Sequence, residues 1–289
     1  MEKAGGKCVF FAPRDPNVTH RDSVRGTLER VRTINDSERF QAWLQHIYEA
    51  RQHETDTIAM GPFRAVMSTA EDDASTAWVT LVDSDVNETE ALRSLAKLRA
   101  AFDKHNVAVE VEYDSEAFPQ ASQWFHEAGF IQVEENPLMA CRPETFAPAP
   151  APHVSLTQLS QHAKPAELEA FQSIRWSNGG DYARKGPSIE ELRRDLKAPG
   201  SVYLLAWLDW EPVGTGVSLV TRDAAEVVGI VTRNDRRRLG VATAVTSELV
   251  RRHFDRGGDF VFLDAANEPA ARLYERLGFS RFGSKVVFK

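Results

Sequence analysis

Apolar positions along the 289-residue chain follow two periods that alternate. Short alternating or continuous apolar runs stand at 7–13 (KCVFFAP), 62–68 (PFRAVMS), 77–83 (AWVTLVD) and 107–113 (VAVEVEY), the pattern of half-buried or buried strands. Between them, 37–52 and 89–105 repeat at helical spacing, with Leu92, Leu95, Leu98 and Phe102 on one stripe. Farther on, strands are predicted at 154–159, 201–208, 214–221, 225–232, 259–264 and 280–288, and helices at 165–176, 188–196, 241–254 and 269–277. The strands 201–208 and 214–221 form a hairpin turned at DWEP (209–212).

The two parts of the chain share a closing unit. FPQASQWFHEAGF (118–130) and NEPAARLYERLGF (267–279) align without a gap, each a helix stopped by Gly-Phe before a strand. Where the second has Asn267 and Tyr274, the first has Phe118 and Phe125. A run of alternating Ala-Pro from Ala147 to Pro152 lies between the halves and favours extended polyproline geometry, so it reads as a semi-rigid spacer. The chain is therefore a tandem repeat of one α/β unit, divided as residues 1–146, the 147–152 linker, and 153–289.

Composition narrows the classes. An apolar fraction of 42% and a charged fraction of 27% are those of a globular protein. The first residues hold an apolar run too short for a signal peptide, and no run nears the ~20 residues of a membrane span, so a cytoplasmic protein with no membrane partner is expected. Cys8 and Cys141 are isolated, so neither a disulfide nor a metal is expected. Net charge divides unevenly, −10 over residues 1–150 and +3 over 151–289. Besides ordinary scatter, that division fits a basic half that handles an anion and an acidic half that favours a cation. Without a continuous basic face, no nucleic-acid partner is expected.

One segment carries candidate chemistry. In TRNDRRRLGVATA (232–244) a β-branched strand ends, Arg236, Arg237, Arg238 and Gly240 follow, and a helix starts at Val241. A helix's first turn leaves backbone N–H groups unpaired in positive potential, and a glycine lets a ligand approach the backbone. Such a place binds phosphate or pyrophosphate, and arginines add charge. A solvated basic turn is the plainer alternative. No P-loop is present, and GTGVSL at Gly214 lacks the third glycine of a dinucleotide fingerprint. Neither a Gly-x-Ser-x-Gly elbow nor a His-Glu-x-x-His helix occurs.

Arg237-x-x-Gly240-x-Ala242 after GIVT, followed by Asn267-x-x-Ala-x-x-Leu-Tyr274-x-x-x-Gly-Phe, resembles the GNAT superfamily of acyl-CoA-dependent N-acyltransferases over about 153–289. The first half resembles the same fold only through its last third. The resemblance implies an α/β (α+β) fold of two tandem GNAT-like domains, each a mixed, mostly antiparallel twisted sheet flanked by helices, with the C-terminal unit active. It implies acetyl-CoA as co-substrate, its pyrophosphate cradled by the amides of Arg238, Leu239, Gly240, Val241, Ala242 and Thr243 beside Arg237. The pantetheine arm would lie along the strand ending at Thr232, with a backbone N–H near Val231 or Thr232 polarising the thioester carbonyl. Asn267 would bond that arm or hold the loop before the helix. Tyr274 would protonate the leaving thiolate; a phenol near ~10 facing a thiol near ~8.5 is a positioned acid rather than a strong one. Packing on the sheet is the plainer role for Tyr274.

The acceptor amine must be neutral to attack. Glu226, 14 residues before Gly240, stands where histone-acetylating members of the family carry their base. Asp264 is the reserve candidate, and a solvated strand carboxylate is the plainer reading of Glu226. In the first half, VDSDVNETEA puts Asp83, Asp85 and Glu88 where a pyrophosphate would bind, so that unit is expected to serve as a scaffold that walls the cleft. Asp181 and Tyr182, in SNGGDYARKG, are candidates to receive a small cationic amine acceptor. A CoA-binding sensor, a scaffold, and transfer to a hydroxyl or a protein lysine remain alternatives. The sequence sets neither the acceptor's identity nor the oligomeric state.

Overall fold

The computed structural model describes residues 35–51, 57–68, 76–83, 85–104, 107–176, 188–197 and 199–289. The strand expected at 7–13 and the acceptor loop with Asp181 and Tyr182 lie outside these residues. The helical periods become α1 (Asp36–Arg51), α2 (Glu88–Asp103), α3 (Ala121–Glu127), α4 (Pro165–Trp176), α5 (Ile189–Asp195), α6 (Val241–Asp255) and α7 (Glu268–Arg276). Side chains set several of their starts: Asn87, Ser188 and Asn267 each accept a first-turn N–H, and Ser188 with Glu191 completes a capping box. The strands are β1 (Thr57–Met60), β2 (Phe63–Ser68), β3 (Thr76–Leu81), β4 (Ala108–Asp114), β5 (Gln132–Cys141), β6 (Ser155–Gln158), β7 (Val202–Leu208), β8 (Glu211–Thr221), β9 (Ala224–Thr232), β10 (Phe260–Asp264) and β11 (Ser280–Phe288).

These strands form one mixed sheet in the order β1-β2-β3-β4-β11-β5-β10-β9-β8-β7-β6. Only β3–β4 and β9–β10 pair in parallel. The halves do not simply abut. β5, the last strand of the first half, inserts between β10 and β11, while β11, the last of the second, inserts between β4 and β5. Each half ends by completing the other's sheet. This exchange leaves no unpaired edge at the junction, where two separate sheets would each have exposed one.

Strand alternation sends the two faces to different helices. On one face, Val286 and Phe288 of β11 join the core under α2 and α3, and Met139 and Cys141 of β5 join the core under α6 and α7. On the other, Leu138 and Ala140 of β5 and Phe260 and Phe262 of β10 pack under α1, while α4 and α5 cover β7 and β8. Helix α1 therefore belongs to the first half by sequence and packs on strands of both. Phe40 and Trp43 meet the Phe262 ring edge-on, with centroids 5.1 and 4.7 Å apart. Such pairs add about 0.5–1.5 kcal/mol each beyond area burial. Arg39 and Asp259, and Arg142 and Asp36, form ion pairs at its N-terminal end.

The Ala-Pro run does not stand free as a spacer. Ala147 N–H donates to the Leu277 carbonyl (3.0 Å), and Ala149 packs on the core under α6. The turn after α7 makes room for this passage: Gly278 has φ 92°, and a Cβ there would lie 1.9 Å from the Thr145 carbonyl oxygen. The glycine of the repeated Gly-Phe unit is thus required twice over in the second copy.

Candidate active site

Strand β9 holds the first element of the site. Its register against β8 slips between Thr215 and Val217, and the extra residue falls at Gly229 and Ile230, where Gly229 adopts a left-handed φ of 60°. On its other side β9 pairs with β10 only through Ala224, Ala225 and Glu226. Beyond Glu226 the two strands part. The parallel pair of the first half, β3 with β4, holds register over Thr76 to Thr80 without parting. Pairing thus stops after three residues in the second half, leaving a gap beside β9, and runs over five in the first.

The parting strand leads to the arginine loop. A single 3-10 turn at Asn234–Arg236 precedes Arg238, at φ 63°, and Gly240, at φ 76°. Gly240 is the N-cap of α6 and provides no side-chain bond, so the first-turn amides of Val241, Ala242 and Thr243 lack a side-chain acceptor. Two of the loop's arginines are engaged: Arg233 bonds Asp235 (2.8 Å) and Arg236 bonds Glu211 (2.5 Å). Arg237 and Arg238 are exposed and form no ion pair among the described residues. The start of α2 is the opposite case. Asn87 Oδ1 accepts the Glu90 N–H (3.0 Å), Glu88 and Glu90 occupy the first turn, and Asp83 and Asp85 are exposed beside it.

Glu226 stands at the apex of the gap, on the face that α1 and α4 flank. It ends a row to which six neighbouring strands each give one polar side chain: Thr80, Glu112, Lys285, Asn136, Asp264 and Glu226. Tyr48 and Thr80 share a 2.7 Å hydrogen bond, and Thr80 Oγ1 donates to Glu112 Oε1 (3.0 Å). Lys285 Nζ reaches Asp264 Oδ2 (2.6 Å), and Asn136 Nδ2 donates to the same oxygen (3.5 Å). The side chains of Lys285 and Asp264 keep 28% and 27% exposure, so the row floors a recess that water enters. Glu226 Oε2 is buried and has no hydrogen-bond partner among the described residues.

That setting divides the carboxylates. Burial, then the charge of Asp264, pushes Glu226 up to about 8. Glu112 is raised as well, chiefly by burial. Burial also opposes ionisation of Asp264, but the Lys285 charge and hydrogen bond outweigh it and hold Asp264 below its ordinary value. Lys285 loses to burial and gains more from Asp264 and Glu112, so its ammonium is held firmly. A group near 8 exchanges a proton readily at neutral pH, which Asp264 does not. The reserve assignment is therefore the weaker base.

Tyr274 projects from α7 and is 7% exposed, its ring 5.8 Å from that of Phe279. Burial and then Asp264 raise its phenol above the ordinary value, so it holds its proton. Its hydroxyl has no hydrogen-bond partner among the described residues. Asn267 Oδ1 caps α7 by accepting the Ala270 N–H (3.0 Å), which is the loop-holding role. Val231 and Thr232 close β9, and Leu239, 45% exposed, gives its carbonyl to His153 Nε2 (2.8 Å). The first-half counterparts Phe118 and Phe125 are buried, with Phe125 against Phe63, Tyr113, Phe130 and Phe288.

Sequence reasoning missed Arg175, Lys285 and Glu112. Arg175 reads as a basic last-turn residue of α4, yet it lies over Gly229. Lys285 and Glu112 alternate with apolar neighbours as solvated strand residues do, and their meeting depends on the strand exchange.

Residues 168–279 match the acetyltransferase (GNAT) family. The match lies within the second half and supports acyl transfer as the class of reaction. In fold the chain is similar to a GCN5-related N-acetyltransferase from Kribbella flavida, with TM-score 0.68 and 21% identity over 89% of this chain and 96% of that one. It is similar also to a GCN5-related N-acetyltransferase from Sphaerobacter thermophilus (TM-score 0.56, 18% identity, 78% and 76% coverage). A tandem GNAT protein from the clavulanic acid biosynthesis pathway aligns with TM-score 0.59 and 12% identity, over 85% and 86%. No curated protein matches the chain. Among the described residues no helix is long and apolar enough to cross a membrane, and no cluster of metal-ligating side chains occurs.

Proposed function

We propose that the second half moves an acetyl group from acetyl-CoA to the primary amine of a small acceptor, by direct attack in a ternary complex, and that the first half is a degenerate unit that walls the cleft. The observation that carries this reading is the contrast at two matched places. The β9–β10 pair parts beside an uncapped, arginine-flanked helix start, whereas β3–β4 stays closed beside a capped and acidic one.

The residues present fit acetyl-CoA. Main-chain donors at Gly240 to Thr243, with Arg237 and Arg238, suit a pyrophosphate. The parted strand from Val227 to Thr232 offers backbone groups to an extended amide-bearing arm. Bound there, the thioester supplies an activated acyl carbon. Glu226 takes the proton that the amine loses as nitrogen bonds to that carbon. The carbon–sulfur bond breaks, and Tyr274 gives its proton to the departing sulfur. The N–H groups near Val231 and Thr232 face the oxygen on which charge develops.

The experiment is thiol release from acetyl-CoA over a panel of primary amines, run beside Glu226→Gln and Tyr274→Phe. Turnover with at least one amine, lowered in both variants, is expected. Binding of CoA without turnover on any amine, alcohol or lysine peptide would replace the reading with a non-catalytic one.

A further inference from the structure

Arg175, in the last turn of α4, reaches β9 three residues beyond Glu226. Its guanidinium covers the bulge of β9: a Cβ added to Gly229 would stand 2.3 Å from Nη1 and 2.8 Å from Cζ, so a side chain there would push the guanidinium from this place. Nη1 is buried and has no hydrogen-bond partner among the described residues. A buried charged donor left unmatched is costly, and it is seldom retained without a use. Tyr203, Asp195 and Glu226 are the ionisable groups whose charges act on it, and it forms no ion pair with any of them. Three residues before the bulge, Glu226 Oε2 is also buried and unmatched. The two unmatched groups thus lie three residues apart along one strand and have not closed on each other.

We infer that Arg175 seats a carboxylate carried by a substrate, so that the recess takes an amine at Glu226 and an anionic group at Arg175 together. A guanidinium offers paired N–H donors that match a carboxylate's two oxygens, which a lysine would not. The carboxylate comes from an amino-acid acceptor or from a dicarboxylic acyl group, since both meet at the bulge. This inference rests on the acyl transfer proposed above.

The test uses the full chain, acetyl-CoA, the twenty common amino acids and the amines left by their decarboxylation. A parallel arm offers succinyl-CoA to the same amines, and both arms are run with Arg175→Met and Arg175→Lys. An amino-acid seat predicts at least a tenfold preference in kcat/KM for a carboxylated acceptor over its decarboxylated twin. In Arg175→Met that preference collapses, mainly through KM, and Arg175→Lys keeps part of it. If the carboxylate is the acyl group's, succinyl-CoA is preferred over acetyl-CoA, and that preference collapses instead. Equal ratios in wild type and Arg175→Met, in both arms, overturn the inference. Should no pair release thiol, the proposed activity fails, and thermal shift with the same amino acids decides the seat alone. A shift lost in Arg175→Met supports it; an equal shift, or none, refutes it.

Discussion

Replacing Glu226 with glutamine separates a proton-holding carboxyl from a merely buried one. Glu226 is driven up to about 8 by burial and then by Asp264, against an ordinary value of 4.5. Its folded-state value lies above its unfolded one, so folding retains a proton that the unfolded chain releases. The favourable contribution is complete below about 4.5 and is lost as pH rises through about 8. At about 1.36 kcal/mol per tenfold, the full effect is about 5 kcal/mol. Water in the recess and coupling to Lys285 screen it, and about 1–2 kcal/mol between pH 6 and pH 9 is expected. Glutamine keeps the shape and has no such dependence. For a chain of this size, about 2 °C of melting temperature accompanies each kcal/mol. Thermal melts should show Glu226→Gln gaining about 2–4 °C on the wild type between those pH values. In thiol-release assays, the wild-type base form grows from about one part in eleven at pH 7 to ten in eleven at pH 9, about a tenfold rise. Glu226→Gln should lose that rise and retain only the titration of the amine. A melting difference that stays constant with pH would show that Glu226 holds no proton.

Tyr274→Phe should lower turnover by about 100-fold while leaving the melting temperature unchanged, because its hydroxyl has no partner to lose; an active variant removes the proton-donor role. Lys285→Met strands Asp264 in the recess and should cost about 2–3 kcal/mol in denaturant unfolding at pH 7, less at pH 4 where Asp264 takes a proton. Gly278→Ala puts a Cβ against the Thr145 carbonyl at a left-handed φ and should destabilise by about 2 kcal/mol or more, read from the same unfolding curves. Residues 1–146 and 153–289 expressed apart should aggregate and expressed together should co-purify, since β5 and β11 complete each other's sheets; two soluble, folded halves would speak against the exchange.

Local pattern made most elements legible. The helix expected at 165–176 appears with those bounds, as does the strand at 280–288, because strong periodicity and flanking turn residues left little choice. Strand β1 was missed, its four residues being too short to show a period. Strand exchange was not legible at all. β5 and β11 carry the same alternation wherever they pair, and which neighbour each takes depends on contacts more than 100 residues away, such as Val286 opposite Tyr113. For the site, the arginine loop and the closing helix were readable because glycine, proline and asparagine mark them locally. Arg175 was not, since one arginine in a helix's last turn looks like any other, and its meaning comes from the bulge at Gly229 on another strand.

Calorimetry of CoA on the full chain, beside Arg237→Glu with Arg238→Glu and, separately, Asn87→Ala, asks whether one helix start and not its counterpart receives the diphosphate. One molecule of CoA per chain is expected, weakened at least tenfold by the paired arginine changes and unaffected by Asn87→Ala. No binding, two equivalent sites, or binding indifferent to the arginines would show that the start of α6 is an ordinary basic turn.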